Sequence, residues 1–329
     1  MLTVRLHLPW KTKQIHPLFR QTPEERGIWK NIQFYINEGT EKCDYIVVFA
    51  GHHGLIREAL RKENTLFIAG EPPAIKQYSE AYLAQFGSII CSDPESSHPN
   101  KQLHQQGYPW FCGLKFAENG EKIFVKSYND FKQDTKIKKT KLLSVVCSDK
   151  QSKPGHRKRF EFVQRLKKVF GDEMDLFGTG QNPIADKSEA IRPYKYHIAI
   201  ENSVAPDYWT EKLSDCYLEE AYPFYAGCPN IDKYFSSSAY SIIDLDDPSA
   251  SIDMIQKTIA TNHYEAAISH IQEAKRQVLD EYNLFNLITD QIEKMKPSTT
   301  TPPTKAFEAY PNKWFTKGPL YRLKFRLLN

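Results

Sequence analysis

The stretch YKYHIAIEN, residues 194–202, decides the fold class of this chain. Tyr196, Ile198 and Ile200 alternate with smaller or polar residues, which is the period of a β-strand. The strand ends at a carboxylate and an amide, and a Thr-Glu-Lys triplet at residues 210–212 then opens a helical run. In alternating β/α folds, ligands bind beyond the carboxyl ends of strands and near the N-termini of the helices that follow. The stretch therefore predicts a β/α unit with a ligand site at this strand end.

Strands and helices alternate on both sides of this stretch, which predicts an α/β protein with Rossmann-like halves. Strand patterns occupy residues 2–8, 44–50, 65–69, 88–91, 142–147, 174–177, 196–200, 222–225 and 240–244. Helical patterns occupy residues 55–61 and 75–86, a run from Arg157, and a long region at 264–295. Residues 117–141 are polar and lysine-rich without a steady period. We therefore predict an N-terminal domain at 1–130, a C-terminal domain at 140–296, and a Thr/Pro linker with a tail at 297–329.

Composition restricts the class of protein. The net charge of +4 is concentrated after residue 304, where six cations face one acid. The net charge of that tail is +5, so the net charge of residues 1–304 is −1. This part of the chain is therefore not expected to be a general polyanion binder. Six cysteines show no CxxC pair and no histidine at metal-ligand spacing, which indicates buried free thiols and a reducing compartment. No apolar run approaches the ~18 residues of a membrane span, and no signal-peptide pattern is evident.

The residues after the central strand resemble the donor-binding motif of the α-1,3/α-1,4-fucosyltransferases, glycosyltransferase family 10. The matching positions are Tyr194-Lys195-Tyr196, Glu201-Asn202-Ser203, Asp207-Tyr208 and Thr210-Glu211-Lys212-Leu213. Upstream, residues 174–180 (MDLFGTG) are similar to another family motif, and residues 223–229 and 246–251 follow in the family order. The resemblance covers roughly residues 140–260, and the first 130 residues resemble the family only faintly.

This resemblance implies a GT-B-like fold, in which two Rossmann-like domains face each other across a cleft. It also implies an inverting enzyme that transfers L-fucose from GDP-β-L-fucose to a hydroxyl of a glycan acceptor. In such proteins the C-terminal half holds the nucleotide sugar and the N-terminal half holds the acceptor. A different nucleotide-sugar donor with the same fold is one alternative. A non-catalytic nucleotide- or polyanion-binding protein is another, although no aromatic stacking motif accompanies the basic stretch at 136–168.

The resemblance also implies roles for cations in the donor site. The family has an arginine at the start of a helix that contacts the donor phosphates, and Arg157 is the match, with Arg159 as the rival position. Lys212 is the second cation expected at the diphosphate, where charge-assisted hydrogen bonds are worth about 1.5–3 kcal/mol each. A solvated basic helix face is the alternative for either arginine.

Five further residues complete the expected donor site. By resemblance, Glu211 accepts hydrogen bonds from the ribose hydroxyls, and Tyr208 and Asn202 line the same pocket. Glu201 belongs to the same motif, and it is equally compatible with a structural carboxylate at a strand end. Gly178 opens a Gly-Thr-Gly turn that either lets the backbone approach the nucleotide or is an ordinary turn.

The transfer needs a base for the acceptor hydroxyl. The family uses a glutamate in the acceptor domain, and Glu71, followed by Pro72 and Pro73 at a strand end, is the closest match. Partial burial there would raise its pKa towards the range that a base needs. His52 and His53 form another titratable pair, which we expect to be solvated.

No metal or other cofactor is expected to be required, since Asp244-Leu245-Asp246 matches a DxD motif only formally, although stimulation by divalent cations stays open. Nucleic acid is not an expected partner. The tail carries aromatic and aliphatic residues between its cations, so it either lies on an anionic membrane surface or packs back on the body. The former would suit glycosylation of lipopolysaccharide or other lipid-linked glycans. We expect a bacterial-type cytoplasmic protein, peripheral on the inner membrane if the tail binds there.

Overall fold

The computed structural model describes residues 1–10, 17–39, 42–116, 122–135, 137–147, 154–178, 180, 182–295 and 306–328. Its strands, in chain order, are β1 (Leu2–His7), β2 (Ile28–Trp29), β3 (Ile32–Ile36), β4 (Tyr45–Phe49), β5 (Ile56–Glu58), β6 (Thr65–Ile68), β7 (Ser88–Cys91), β8 (Lys101–Leu103), β9 (Leu114–Phe116), β10 (Lys122–Phe124), β11 (Lys141–Val146), β12 (Met174–Phe177), β13 (Tyr194–Ile200), β14 (Tyr222–Ala226), β15 (Ser241–Ile242) and β16 (Phe307–Ala309).

The α-helices are α1 (Glu80–Leu83), α2 (Tyr128–Gln133), α3 (Pro154–Phe170), α4 (Glu211–Leu218), α5 (Pro248–Ala260), α6 (His263–Arg276), α7 (Leu284–Lys294), α8 (Asn312–Thr316) and α9 (Pro319–Leu328). A π-helical turn at Gln277–Glu281 follows α6 directly. The predicted helical region at 264–295 is therefore confirmed as two helices, with a break where the chain also passes from one compact unit to the other.

The first compact unit comprises residues 1–107 and 284–329. Its sheet has the order β2-β3-β1-β4-β6-β7-β8, and every pairing is parallel except that of β2 with β3. The central strand β4 is buried at every position, as a parallel strand covered on both faces requires. The chain returns from α7 onward because apolar side chains such as Phe285 and Phe307 complete this core.

The second unit comprises residues 108–283 and contains a wholly parallel sheet of order β12-β11-β13-β14-β15. The predicted strand at 196–200 is its central strand β13, which is almost completely buried. Aromatic contacts fill the layer between sheet and helices, for example Tyr196 stacked on Phe224 with ring centroids 5.5 Å apart. The predicted α/β class with two Rossmann-like halves is confirmed, since each unit has its own parallel sheet.

The structure divides the chain differently from the predicted boundaries. Residues 108–141 belong to the second unit because Trp110 packs edge-on against Phe131 and the backbone N–H of Phe111 donates to Asp215 at 3.1 Å. Residues 284–295 belong to the first unit, where Trp29 donates to Asn286 at 3.1 Å. The predicted Thr/Pro linker at 297–303 lies outside the described residues.

Two helix predictions in the first unit were wrong. Residues 55–61 contain the strand β5, which pairs antiparallel with β16 from the end of the chain. That partner lies about 250 residues away in sequence, so a local pattern could not reveal it. The predicted helix at 75–86 shrinks to α1, which Ser79 caps by accepting from the backbone N–H of Tyr82. Before it, Tyr78 packs edge-on against Phe67 instead of continuing a helix.

All six cysteines are free, and all except Cys43 are buried, which confirms the prediction of free thiols. Burial raises the pKa of Cys216 to about 12 and that of Cys228 to about 11. These thiols are therefore held in the protonated, unreactive form at neutral pH. Within the described ranges, none of the helices has the length and apolar composition needed to cross a bilayer.

Candidate functional site

The start of α4 is fixed by a buried carboxylate at the end of β13. Glu201 accepts hydrogen bonds from the backbone N–H of Thr210 at 2.8 Å and from its hydroxyl at 2.7 Å. Thr210 in turn is the N-cap of α4, and its hydroxyl oxygen accepts from the backbone N–H of Lys212. Burial raises the pKa of Glu201, against the opposing effects of Lys212 and Thr210. Of the two interpretations of Glu201, these contacts favour the structural one.

Lys212 lies between two carboxylates at the first turn of α4. Its Nζ is 3.2 Å from Glu211 Oε1 and 3.5 Å from Glu201 Oε2, and 21% of its side chain is exposed. Burial alone would lower the pKa of Lys212, but the two carboxylates outweigh burial and raise it. The lysine is therefore a permanent cation that reaches the surface beside a helix N-terminus, where an anion is favoured.

Glu211 is the acidic partner in this turn. Its side chain is only 13% exposed. Burial alone would raise the pKa of Glu211, but Lys212 and Lys187 together lower it below its usual value. An ionised carboxylate at this place can accept hydrogen bonds from hydroxyl groups of a ligand.

The loop between β13 and α4 is held by Asp207, whose backbone has φ = 57°. Its carboxylate accepts from the Tyr234 hydroxyl at 2.5 Å, from Lys233 Nζ at 2.7 Å and from Asn230 Nδ2 at 3.2 Å. The neighbouring Tyr208 is buried, with 2% of its surface exposed. Tyr208 packs edge-on against Tyr108 with ring centroids 5.9 Å apart, and its role in lining a ligand pocket stays a prediction.

Helix α3 brings an arginine to the same strand end. Arg159 Nη1 donates to Asn202 Oδ1 at 2.8 Å, so these two predicted site residues meet. Arg159 Nε is buried without a hydrogen-bond partner among the described residues. Arg157 is exposed, and Lys158, between the two arginines, contacts Asp246 instead. Of the two rival positions, the geometry therefore favours Arg159.

The turn at Gly178 approaches the protein's own backbone. Gly178 has φ = +125°, and a Cβ at this position would lie 2.5 Å from the carbonyl oxygen of Cys147. Its N–H donates to the carbonyl oxygen of Asn182 at 3.0 Å. A glycine is therefore required here by packing between two loops at the carboxyl ends of β11 and β12. This contact accounts for Gly178 without a nucleotide.

Replacing Gly178 by Ala is expected to lower the free energy of unfolding by at least about 1–3 kcal/mol, because backbone strain and the clash with Cys147 add together. Denaturant titration would measure the loss. Gly171→Ala is the matched control, since Gly171 also has positive φ (+52°) but a Cβ there would meet no atom of the described residues within 4 Å. Equal losses in the two variants would show that the approach to Cys147 is unimportant.

The predicted base lies in the other unit. Glu71 is half-buried after β6, and it lines a cavity of about 180 Å³ between the loops that follow β6 and β7. Polar and apolar side chains share this cavity, which is lined by Glu71, Lys76, Ser92, Asp93 and Ser96 together with Pro73, Tyr78, Leu83 and Cys91. Such an amphipathic wall suits a sugar ring, which has both hydroxyl groups and apolar C–H faces.

The histidine pair is not simply solvated. His52 Nδ1 lies 2.7 Å from the Gly54 carbonyl oxygen, and His53 Nε2 lies 2.7 Å from the Pro9 carbonyl oxygen. Burial is the main cause that lowers the pKa of His52 to about 4. Among the described residues, no group of three or more His, Cys, Asp or Glu side chains is arranged to hold a metal ion.

Sequence reasoning missed the support beneath this site. Lys187 Nζ contacts Asp215 at 2.9 Å under the first turn of α4, and Lys233 and Tyr234 hold Asp207. These partners lie between 24 and 28 residues from their targets. The spacing of Glu211 and Asp215 on one helix face was a visible signal that two acids share a face. Nothing in the local pattern pointed to the partner lysines.

The second unit is thus a parallel α/β unit whose strand ends and helix N-terminus gather two cations and an ionised carboxylate, as in proteins that bind nucleotides. Residues 136–265 match the model of glycosyltransferase family 10 (fucosyltransferase), C-terminal domain. Through this segment, the chain is similar to glycosyltransferase family 10.

Two curated fucosyltransferases are similar to this chain over part of their own length. The chain is 32% identical over 105 residues to alpha-(1,3)-fucosyltransferase B of Drosophila melanogaster, covering 31% of this chain and 23% of that protein. It is 30% identical over 98 residues to alpha-(1,3)-fucosyltransferase FucT of Helicobacter pylori, covering 30% and 20%. The chain therefore spans about a fifth to a quarter of the length of the curated relatives that it matches.

Solved structures with related folds include an alpha1,3-fucosyltransferase with GDP, at 16% identity and a TM-score of 0.49, covering 86% of this chain and 93% of that one. Another is WaaG, a glycosyltransferase involved in lipopolysaccharide biosynthesis, at 11% identity and a TM-score of 0.45, covering 91% of this chain and 100% of that one. At these values the two structures carry no argument about function.

Proposed function

We propose that this protein is an inverting glycosyltransferase that transfers L-fucose from GDP-β-L-fucose to a hydroxyl of a glycan acceptor, with α-1,3 or α-1,4 linkage. One observation carries the proposal: the family segment places Lys212 and Glu211 together at the N-terminus of α4. Arg159 reaches the same strand end through Asn202. Two cations suit a diphosphate, and a buried ionised carboxylate suits ribose hydroxyls.

The donor half of the reaction follows from these charges. As the bond between fucose and GDP breaks, negative charge develops on the departing diphosphate. Lys212 and Arg159 would stabilise that charge, together with the N-terminal dipole of α4. Because Lys212 is already fixed by Glu201 and Glu211, little reorganisation would be needed when the charge appears.

Calorimetric titration of the purified protein with GDP, GDP-fucose, GDP-mannose and UDP-sugars tests the donor. We expect GDP and GDP-fucose to bind and UDP-sugars not to bind. A preference for GDP-mannose or a UDP-sugar would keep a glycosyltransferase but replace the donor. Absence of nucleotide binding would overturn the proposal in favour of a non-catalytic protein.

The acceptor half is proposed for the first unit. Glu71 would accept the proton of the attacking hydroxyl, and the cavity beside it, about 180 Å³, has room for a single sugar ring. Glu71 and Asp93 outnumber Lys76 among the charged groups of this cavity, and the net negative charge disfavours an anionic group on that ring. A neutral sugar is therefore the proposed acceptor residue, and a glycan panel with and without acidic sugars would test this.

We propose that no metal ion is required, since Lys212 and Arg159 supply the positive charge that a divalent cation would otherwise supply to the diphosphate. Activity should then persist in a chelator. Modest stimulation by added Mg²⁺ or Mn²⁺ is compatible with this proposal, whereas complete loss of activity in the chelator is not.

The C-terminal helix α9 is proposed to contact an anionic membrane surface. Leu320, Leu323 and Leu327 are 84%, 59% and 78% exposed, and at 100° per residue they fall within an arc of about 60°. The opposite face is anchored, because Phe325 is buried and packs on Trp314 with ring centroids 5.5 Å apart. The exposed face is therefore free to enter the headgroup region of a bilayer.

Cations flank these leucines, and the charge agrees with an anionic partner. Arg322 and Arg326 lie over the ring of Trp314 at 5.9 and 5.4 Å, on one side of the leucines, and Lys324 lies on the other. Near an anionic surface each cation adds about 1 kcal/mol, and each inserted leucine adds about 1.5–3 kcal/mol. In this proposal the tail packs back on the body through the face of α9 that carries Phe325, and it lies on the membrane through the face that carries the leucines.

Flotation with lipid vesicles tests this surface. We expect binding to vesicles of phosphatidylcholine with phosphatidylglycerol, weaker binding to phosphatidylcholine alone, and weakening by salt. Leu320→Gln with Leu327→Gln should lower partitioning by about 100-fold or more, because two inserted leucines are lost. Leu103→Gln, on another exposed leucine, is the control. Equal binding by the double variant, or salt-independent self-association that it abolishes, would contradict the membrane proposal.

A further inference from the structure

A buried lysine lies directly beneath the first turn of α4 and belongs to no motif of the family segment. Lys187 Nζ donates to Asp215 Oδ2 at 2.9 Å and to the backbone carbonyl oxygen of Glu211 at 3.2 Å. Its side chain is 14% exposed and that of Asp215 is completely buried. Because Glu211 and Asp215 are the first and fifth residues of α4, Lys187 joins both ends of one helical turn.

This contact is part of a wider network that fixes Lys187 itself. Lys187 begins a short 3₁₀ turn that Asp186 caps through the backbone N–H of Ser188 at 2.8 Å. The backbone N–H of Gly113 donates to Asp186 at 2.9 Å and to the Ser188 hydroxyl at 3.0 Å. The 3₁₀ turn and the segment at Gly113 thus fix the backbone from which Lys187 reaches α4.

We propose that Lys187 is a positioning residue of the proposed donor site, which holds the first turn of α4 in place through Asp215 and the backbone carbonyl oxygen of Glu211 and sets a positive charge next to Glu211. The inference rests on the proposed function for its consequence, because Glu211 is the residue assigned there to the ribose hydroxyls. The structural part concerns only this chain and can be tested without a nucleotide.

The charges around Glu211 show why one buried cation matters. The groups that face it are Lys212 on the same helix, Lys187 from below, and the carboxylates of Glu201 and Asp215. Burial alone would raise the pKa of Glu211, and the two carboxylates add repulsion. Lys212 has two carboxylates to compensate within 3.5 Å. Lys187 supplies the second positive charge, and the pKa of Glu211 is lowered as a result.

Removal of Lys187 is expected to raise the pKa of Glu211, because Lys212 is then the one lysine among the described residues that opposes the effect of burial. A group with a lowered folded-state pKa stays ionised until the pH falls through that pKa, so without Lys187 the ionised form is lost at higher pH. Carboxyl ¹³C NMR titration would measure this shift, with Glu211→Gln to assign the resonance. Calorimetric GDP titration should show that the pH at which affinity falls moves upward in parallel.

The variant must keep the fold. Lys187→Met alone would leave Asp215 buried and uncompensated, so Lys187→Met with Asp215→Asn is the informative variant, because Asn still accepts from the Phe111 N–H. Lys187→Arg should restore the low pKa. The matched control is Lys132→Met with Asp280→Asn, which removes another lysine–carboxylate pair of the same unit, 3.1 Å apart.

The possible results distinguish a failure of the role of Lys187 from a failure of the proposed function. Because Asp215→Asn also removes a repulsive charge near Glu211, the reference for the double variant is Asp215→Asn alone. A Glu211 pKa that is equal in these two folded variants would overturn the role of Lys187, whatever the protein binds. If the pKa rises as expected but the wild-type protein binds no GDP, the positioning of Glu211 holds and the proposed function fails. A raised pKa with a pH profile of GDP affinity identical to that of the wild type would overturn the link between Lys187 and the donor.

Discussion

Replacing Lys212 by Ala is expected to weaken GDP binding by about 10- to 100-fold, because charge-assisted hydrogen bonds to a diphosphate contribute about 1.5–3 kcal/mol. The same change should lower stability, since Lys212 is the cation between Glu201 and Glu211. Breaking a buried ion pair on one side costs about 3–5 kcal/mol. Calorimetry with GDP and thermal unfolding of the same samples would measure the two effects.

The loss of binding must be separated from the loss of fold. Lys212→Arg keeps the positive charge between the carboxylates, so its stability should be closer to wild type while its longer side chain alters the fit to the diphosphate. Lys132→Ala, which removes an exposed cation of the same unit, should leave GDP affinity unchanged. GDP affinity that survives in folded Lys212→Ala would exclude Lys212 from the diphosphate site.

The second large effect is expected at Glu71. Glu71→Gln should lower kcat of transfer by about 10²- to 10⁴-fold, because an amide of the same shape cannot accept the proton of the acceptor hydroxyl. The affinity for GDP should be unchanged, since the proposed donor site is formed by residues of β13, α3 and α4 and the segments between them. Steady-state kinetics and calorimetry together would measure this difference.

Two further variants sharpen that test. Glu63→Gln changes an exposed glutamate of the same unit and should leave kcat unchanged. His52→Ala examines the rival base, which we expect to contribute little, because His52 does not line the cavity at Glu71 and its Nδ1 lies 2.7 Å from the Gly54 carbonyl oxygen. If Glu71→Gln transfers fucose at the wild-type rate, the base lies elsewhere. A large loss of kcat in His52→Ala would point to the histidine.

Much of the fold could be predicted because the information is local. β13 coincides with the alternating stretch before the Thr-Glu-Lys triplet, and α4 coincides with the helical pattern that the triplet opens. Thr210 is the N-cap of α4, as a threonine before a helical pattern suggests. The buried parallel strands β4 and β6 are short apolar runs, as their covered faces require. The motifs that resemble the family likewise lie within one compact unit, and each of them is a short local stretch of the sequence.

The errors share one cause, which is contact between residues far apart in sequence. The sequence of β5 has the pattern of a short helix, but the segment is a strand because it pairs with β16. Helix α7 belongs to the first unit because its Phe285 packs against Phe34 in the core of that unit. Residues 117–141 lack a clear period, and contacts of the described ones reach residues far along the chain, as that of Lys126 with Glu219 does. Local propensity could not specify these partners.

The sequence by itself determined the α/β class, the resemblance of the second unit to a family and the residue types of the proposed donor site. Only the tertiary structure decided which of these residues meet. It favours Arg159 over Arg157 because only Arg159 contacts Asn202, and it shows Glu201 as a buried support for Thr210. It also places Lys187 beneath Glu211. The physical reason is that charges and hydrogen bonds act over a few ångströms in space, whatever the distance along the chain.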